Sequence, residues 1–171
     1  MGIEISSTLL ARIMASAGVA PADGGAPHEK CGLLLGHGDV VVRAEPAANV
    51  SPTPRTTFEI DPAALLAAYR GQRQPGGAEV LGFFHTHPSG DDAPSVTDAA
   101  CAAPDGRLWL IATDRHARLW RAVAHGSEHG RFVAVPIDLR TGTRVEKDVP
   151  GVQHRARGSD FIAVPDPESV A

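Results

Sequence analysis

Cysteine is nearly missing from this chain of 171 residues, which has only Cys31 and Cys101. That excludes a disulfide-stapled secreted scaffold and leads us to expect a reducing, cytoplasmic compartment, with a single Cys31–Cys101 bridge left open. Lysine is scarce too, found only at Lys30 and Lys147 amid abundant arginine and alanine, which reads as a coding bias. The basic residues are scattered and the formal net charge is −4, so no electrostatic footprint for nucleic acid or anionic lipid is present. We therefore expect no nucleic-acid and no membrane partner. No apolar run reaches the roughly 20 residues of a membrane span. Glu4 precedes the first basic residue, Arg12, which makes a poor signal peptide. "MGIEIS" fits a myristoylation pattern by its letters, a match that has weight only in a eukaryote. The length suits one globular domain with a single core, and oligomeric state is not readable from it.

What is present reads as alternating short elements. "SSTLLARIMASAG" puts Leu9, Leu10, Ile13 and Met14 on one stripe, with Ser6 or Ser7 as N-cap and Gly18 as stop, which predicts an amphipathic helix. "CGLLLG" and "VVVRAEP", joined by "HGD", predict a β-hairpin. A Pro-rich loop over Asn49–Arg55 leads to "TTFEI", read as a short strand, and then to a second helix with Asp61 as N-cap, Pro62 at the first position and Gly71 as stop. "AEVLGFFH" predicts a strand, "SVTDAACAA" a helix capped by Ser95, "RLWLIA" and "ARLWRAV" a strand pair, and "RFVAVPI" a last strand. Helices and strands in no strict βαβ order indicate an α+β or mixed α/β fold, a central mixed sheet flanked by helices. Residues 1–139 are read as the domain, and 140–171, poorer in apolar residues, as an extended or partly disordered extension.

The informative stretch is "HTHPSGDDAPSVTD". In a strand, residues two apart share a face, so His85 and His87 can reach one ion while Thr86 points away. The Pro- and Gly-rich loop then lets the chain turn back, and Asp98 falls on the first turn of the next helix. Two imidazoles and a carboxylate are three ligands of a tetrahedral zinc whose fourth position is left to water, the mark of a catalytic site; zinc brings that water's pKa to about 7. Ordinary capping explains Ser95 and Asp98, since S-x-x-D is close to a capping box. It does not explain two histidines on one strand face at the loop feeding that cap.

These residues resemble the JAMM or MPN+ zinc metalloproteases, whose signature is H-x-H-P, six residues, S-x-x-D, and a distant upstream Glu before a strand like "CGLLLG". Glu29 in "PHEKCGLLLG" fits the upstream element, and Thr86 stands where Ser is usual. The resemblance implies a cytidine-deaminase-like JAMM/MPN fold, with His85, His87 and Asp98 as zinc ligands. It implies Glu29 as the acid–base group and Ser95 as a donor steadying the oxyanion of a tetrahedral intermediate. The implied activity is metallopeptidase or isopeptidase cleavage, at the Gly-Gly tail of a ubiquitin-like or sulfur-carrier β-grasp protein. Two alternatives stand beside it: a non-catalytic MPN scaffold that binds partners, and a relative of the DNA-repair-associated branch, whose loop also reads "HPSG" then "PS".

The remaining candidates have simpler explanations. His28 is read as surface or as a support of the site, Cys101 as a small buried apolar residue, His125 and His129 as a solvated turn, and Trp109 and Trp120 as sheet packing. Specificity is expected from the loops Asn49–Phe58 and His125–Gly130.

Overall fold

The computed structural model describes residues 2–20 and 24–140. The expected extension lies outside the described residues, apart from Arg140. The elements are β1 (Ile3–Ser6), α1 (Ser7–Ala17), β2 (Cys31–His37), β3 (Val40–Ala47), α2 (Pro62–Gln72), β4 (Glu79–Thr86), α3 (Val96–Cys101), β5 (Leu108–Ala112), β6 (Ala117–Gly126), β7 (Gly130–Val135) and β8 (Ile137–Arg140). All eight strands join one mixed sheet in the order β7-β6-β5-β4-β2-β3-β1-β8. Its edge strands β7 and β8 are separated in the chain by Pro136 alone, so the sheet must curl until its edges meet; Pro136 offers its carbonyl to the N–H of Ile3 at 2.9 Å.

Side-chain alternation divides the core between the two faces of this sheet. Leu34, Phe84, Leu108 and Leu110 point to one face, where the Leu9, Leu10, Ile13 and Met14 stripe of α1 covers them. Leu33, Leu35 and Val80 point to the other, against α2, and Trp109, Ile111, Trp120 and Phe132 pack there beside α3. Ser6 caps α1 by accepting from the N–H of Leu9, and Asp61 caps α2 by accepting from that of Ala63. Where neighbouring strands press together, glycine is required: a Cβ on Gly82 would lie 2.0 Å from the Leu108 carbonyl oxygen in the neighbouring parallel strand.

Several expectations are corrected. "TTFEI" is no strand; only the isolated bridge of Ile60 with Asn49 remains of it, because the Asn49 side chain takes the hydrogen bonds a ladder would use. "RFVAVPI" is two strands on opposite edges, broken at Pro136, which has no N–H to give. β1 carries no alternation long enough to be read from sequence, yet it pairs in parallel with both β3 and β8. α2 runs through Gly71 to Gln72. Cys101 is exposed rather than buried, Cys31 is buried, and both thiols are free. Trp109 and Trp120 are buried, as expected. Among the described residues, no helix is long and apolar enough to cross a membrane.

Candidate metal centre

Strand register brings the distant glutamate to the histidines. β2 and β4 are antiparallel with Cys31 opposite His85. The pairing continues one step outward, where Thr86 N–H donates to the Lys30 carbonyl and Lys30 N–H to Thr86 Oγ1, both at 2.9 Å. Thr86 thus points away from the histidines, and the next step sets Glu29 opposite His87 on their face. The pairing accounts for a spacing of more than 50 residues between Glu29 and the two histidines that no local pattern could interpret.

α3 delivers the carboxylate. Ser95 and Asp98 form a full capping box: Asp98 N–H donates to Ser95 Oγ at 3.1 Å, and Ser95 N–H donates to Asp98 Oδ2 at 2.7 Å. The loop before it is strapped by three donors from elsewhere in the fold. His87 Nδ1 donates to the Asp91 carbonyl at 2.8 Å, Trp120 Nε1 to that of Asp92 at 3.2 Å, and His129 Nε2 to that of Pro94 at 3.1 Å. His129 is the exposed turn residue expected and is also a tether of this loop, while His28 and His125 lie outside the cluster.

The side chains converge on one point. His85 Nε2 and His87 Nε2 are 3.0 Å apart, with Asp98 Oδ1 3.4 Å from the first and Asp98 Oδ2 3.5 Å from the second. All three residues are buried, and they form a group that could hold a metal ion. Because a carbonyl only accepts, His87 Nδ1 carries the proton, and neutral His87 presents the lone pair of Nε2 to the centre.

The electrostatics fit that arrangement. Burial alone would raise the Asp98 pKa, but the neighbouring imidazoles of His85 and His87 and the Ser95 hydroxyl hold it well below the usual carboxylate range. Burial lowers the pKa of His85 and favours the neutral form a ligand needs. Burial would lower that of His87 too, yet contact with Asp98 raises it. Glu29 is 5% exposed, and one of its oxygens, Oε2, has no hydrogen-bond partner. Burial pushes its pKa up to about 7, with His87 opposing and Asp98 reinforcing. A carboxyl held near neutrality with an unsatisfied oxygen beside two imidazoles and a carboxylate is arranged to exchange protons. Ser95 Oγ donates its single proton to Asp98 Oδ2 at 2.7 Å.

Comparison with known proteins accords with this geometry. The profile of prokaryotic homologs of the JAB domain matches residues 11–126, the span that contains Glu29, His85, His87, Ser95 and Asp98. The chain belongs to this JAB-domain family. A desampylase from Haloferax volcanii is 37% identical over 92 residues, 53% of this chain and 66% of that protein. A Thermus thermophilus protein named "Probable TtuB-protein conjugate cleaving protease" is 40% identical over 73 residues, 43% of this chain and 48% of that one. The matches thus span under two thirds of these relatives' lengths. The solution structure of a Desulfitobacterium hafniense protein superposes with a TM-score of 0.66 at 26% identity, covering 83% of this chain and 95% of that one.

Two features of this JAB domain escaped the sequence. A cleft of about 230 Å³ lies beside Asp98, lined among others by Phe58, Glu59, Thr97, Cys101 and Trp109. The loop Asn49–Phe58 was expected beside the site, but not that Asn49 would hold the Glu29 carbonyl or that the Phe58 ring would stack on His85, since both are contacts across the fold.

Proposed function

We propose that this JAB-domain protein is a zinc-dependent isopeptidase that hydrolyses the bond following the C-terminal Gly-Gly of a ubiquitin-like or sulfur-carrier protein. The observation carrying the reading is the buried Glu29 carboxyl, one oxygen unpartnered, facing the His85–His87–Asp98 group. A module that only bound partners would gain nothing from keeping that oxygen unsatisfied, because such a group is destabilising unless it is used. Two imidazoles and a carboxylate with room for a fourth ligand are the donor set of catalytic zinc.

His85, His87 and Asp98 would hold a zinc ion, whose Lewis acidity would polarise the scissile carbonyl and acidify a water molecule. Glu29 accepts the proton that water releases as its oxygen bonds to the carbonyl carbon, then passes it to the nitrogen as the C–N bond breaks. His87, with Nδ1 tied to Asp91, is held in the tautomer that leaves Nε2 free. Ser95 orients Asp98 through its capping bonds. Its oxyanion role requires the hydroxyl to turn from Asp98 toward the substrate. The name of the Thermus thermophilus relative, a probable TtuB-protein conjugate cleaving protease, supports a protein conjugate as the substrate. The exposed free thiol of Cys101 fits a reducing, cytoplasmic setting.

The test is incubation of zinc-loaded protein with carrier fusions bearing a Gly-Gly tail and with ubiquitin dimers, read by intact mass. Cleavage after Gly-Gly in at least one carrier fusion, abolished by Glu29→Gln, is expected. Cleavage of ubiquitin dimers alone would overturn the substrate preference, and inertness toward every conjugate would overturn the enzymatic reading.

A further inference from the structure

We propose that Phe58 is a positioning residue for His85, its ring replacing the hydrogen bond by which a metal-bound imidazole is ordinarily oriented. The proposal rests on His85 being a metal ligand.

The two imidazoles are held by different means. A ligating histidine normally donates its far N–H to an acceptor, which sets both tautomer and tilt. His87 follows that rule through Asp91. His85 does not: its Nδ1 is buried with no hydrogen-bond partner. What surrounds it is aromatic. The Phe58 ring stacks on the imidazole at a centroid distance of 4.4 Å and 20° between planes, and Trp109 meets it edge-on at 5.9 Å and 86°. An imidazole rotated out of this slot would strike one ring or the other. On the Nδ1 side, where no hydrogen bond holds the ring, packing thus keeps Nε2 aimed at His87 and Asp98, as in close-packed cores.

Phe58 can act this way because the segment carrying it, though outside the sheet, is pinned. Asn49 Nδ2 donates to the carbonyls of Glu29 and Thr57, each at 3.0 Å, and its Oδ1 accepts from the N–H groups of Ser51 and Glu59, also at 3.0 Å. All four hydrogen-bonding positions of the amide are used. The backbone on both sides of Phe58 is therefore fixed by a side chain that also holds the carbonyl of Glu29. One residue sets the base and the ring that orients the ligand. Phe58 also walls the cleft beside Asp98, so a substrate segment lying there would pack against the same ring.

Zinc affinity of the metal-free, full-length protein, measured by competition with a fluorescent chelator, tests this without reference to catalysis. Phe58→Leu keeps an apolar side chain but loses the flat face, whereas Phe58→Tyr keeps it. We expect Phe58→Leu to bind zinc about 10- to 100-fold more weakly, the usual loss when a ligand's support is removed. Phe58→Tyr should stay within about twofold of the parent, with thermal unfolding of the metal-free variants failing to account for the difference. Parent-like affinity in Phe58→Leu would overturn the proposal, as would equal losses in both variants. Should Phe58→Leu not fold, Phe58→Met gives the same contrast. The isopeptidase reading can fail on every conjugate while this measurement stands. A parent that binds no zinc would remove both.

Discussion

Replacing Glu29 should make the metal-free protein more stable, and the gain should depend on pH in one direction. Glu29 is 5% exposed, and its pKa is pushed from the ordinary 4.5 up to about 7. Between those values the native state holds a proton that the unfolded chain has released, so its contribution to stability falls as pH rises through the window. Below the window both states carry a neutral carboxyl and nothing is lost; above it both are charged and the whole penalty stands, about 3 kcal/mol. Glutamine has a similar shape and stays neutral throughout. In urea unfolding of the chelator-treated protein, Glu29→Gln should exceed the parent by about 1 kcal/mol at pH 5 and about 3 kcal/mol at pH 8. Glu29 itself helps raise the His87 pKa, so the same pair is also compared in a His87→Gln background, where that contribution is absent. A gain that does not change with pH, or a loss at pH 8, would refute the argument that burial sets this group's proton affinity. The gain in stability should be matched by a loss of activity of about 10²- to 10⁴-fold at saturating zinc, the range for a general base.

Elemental analysis should find one zinc per chain, falling to a trace in His85→Ala. Chelators, and no serine- or cysteine-directed reagent, should abolish cleavage, with no covalent acyl-enzyme detected by mass. Ser95→Ala removes the hydroxyl of the α3 cap and should lower stability by about 1 kcal/mol in chemical denaturation. If the hydroxyl also turns to the oxyanion, kcat should drop by about 10²-fold or more, and a kcat within about threefold of the parent would confine Ser95 to capping. Gly82→Ala puts a methyl against the Leu108 carbonyl oxygen and should destabilise by about 1–3 kcal/mol in thermal unfolding, with zinc stoichiometry unchanged in the protein that folds.

The sequence was most legible where short range decides. Caps and amphipathic stripes declare themselves within one helical turn, and α1, α2 and α3 begin where Ser6, Asp61 and Ser95 indicate. The convergence of His85, His87 and Asp98 was legible for a related reason: strand alternation sets His85 beside His87, and a cap sets Asp98 three residues after Ser95. β1 and β8 were not legible, because four-residue strands at the meeting edges of a curled sheet take their hydrogen bonds from partners far along the chain.

Sequence by itself therefore determined the types of the metal-facing groups and the local geometry of three of them, since each depends on torsions and periodicities a few residues long. Tertiary structure alone decided that Glu29 faces them, through the register of β2 against β4, and that its carboxyl is dry enough to hold a proton near neutrality. It also decided that His129 braces the loop, that Cys101 opens onto a cleft, and that Phe58 covers His85 under the hold of Asn49. Burial and packing are properties of residues distant in sequence brought together, so no stretch of the chain read alone contains them.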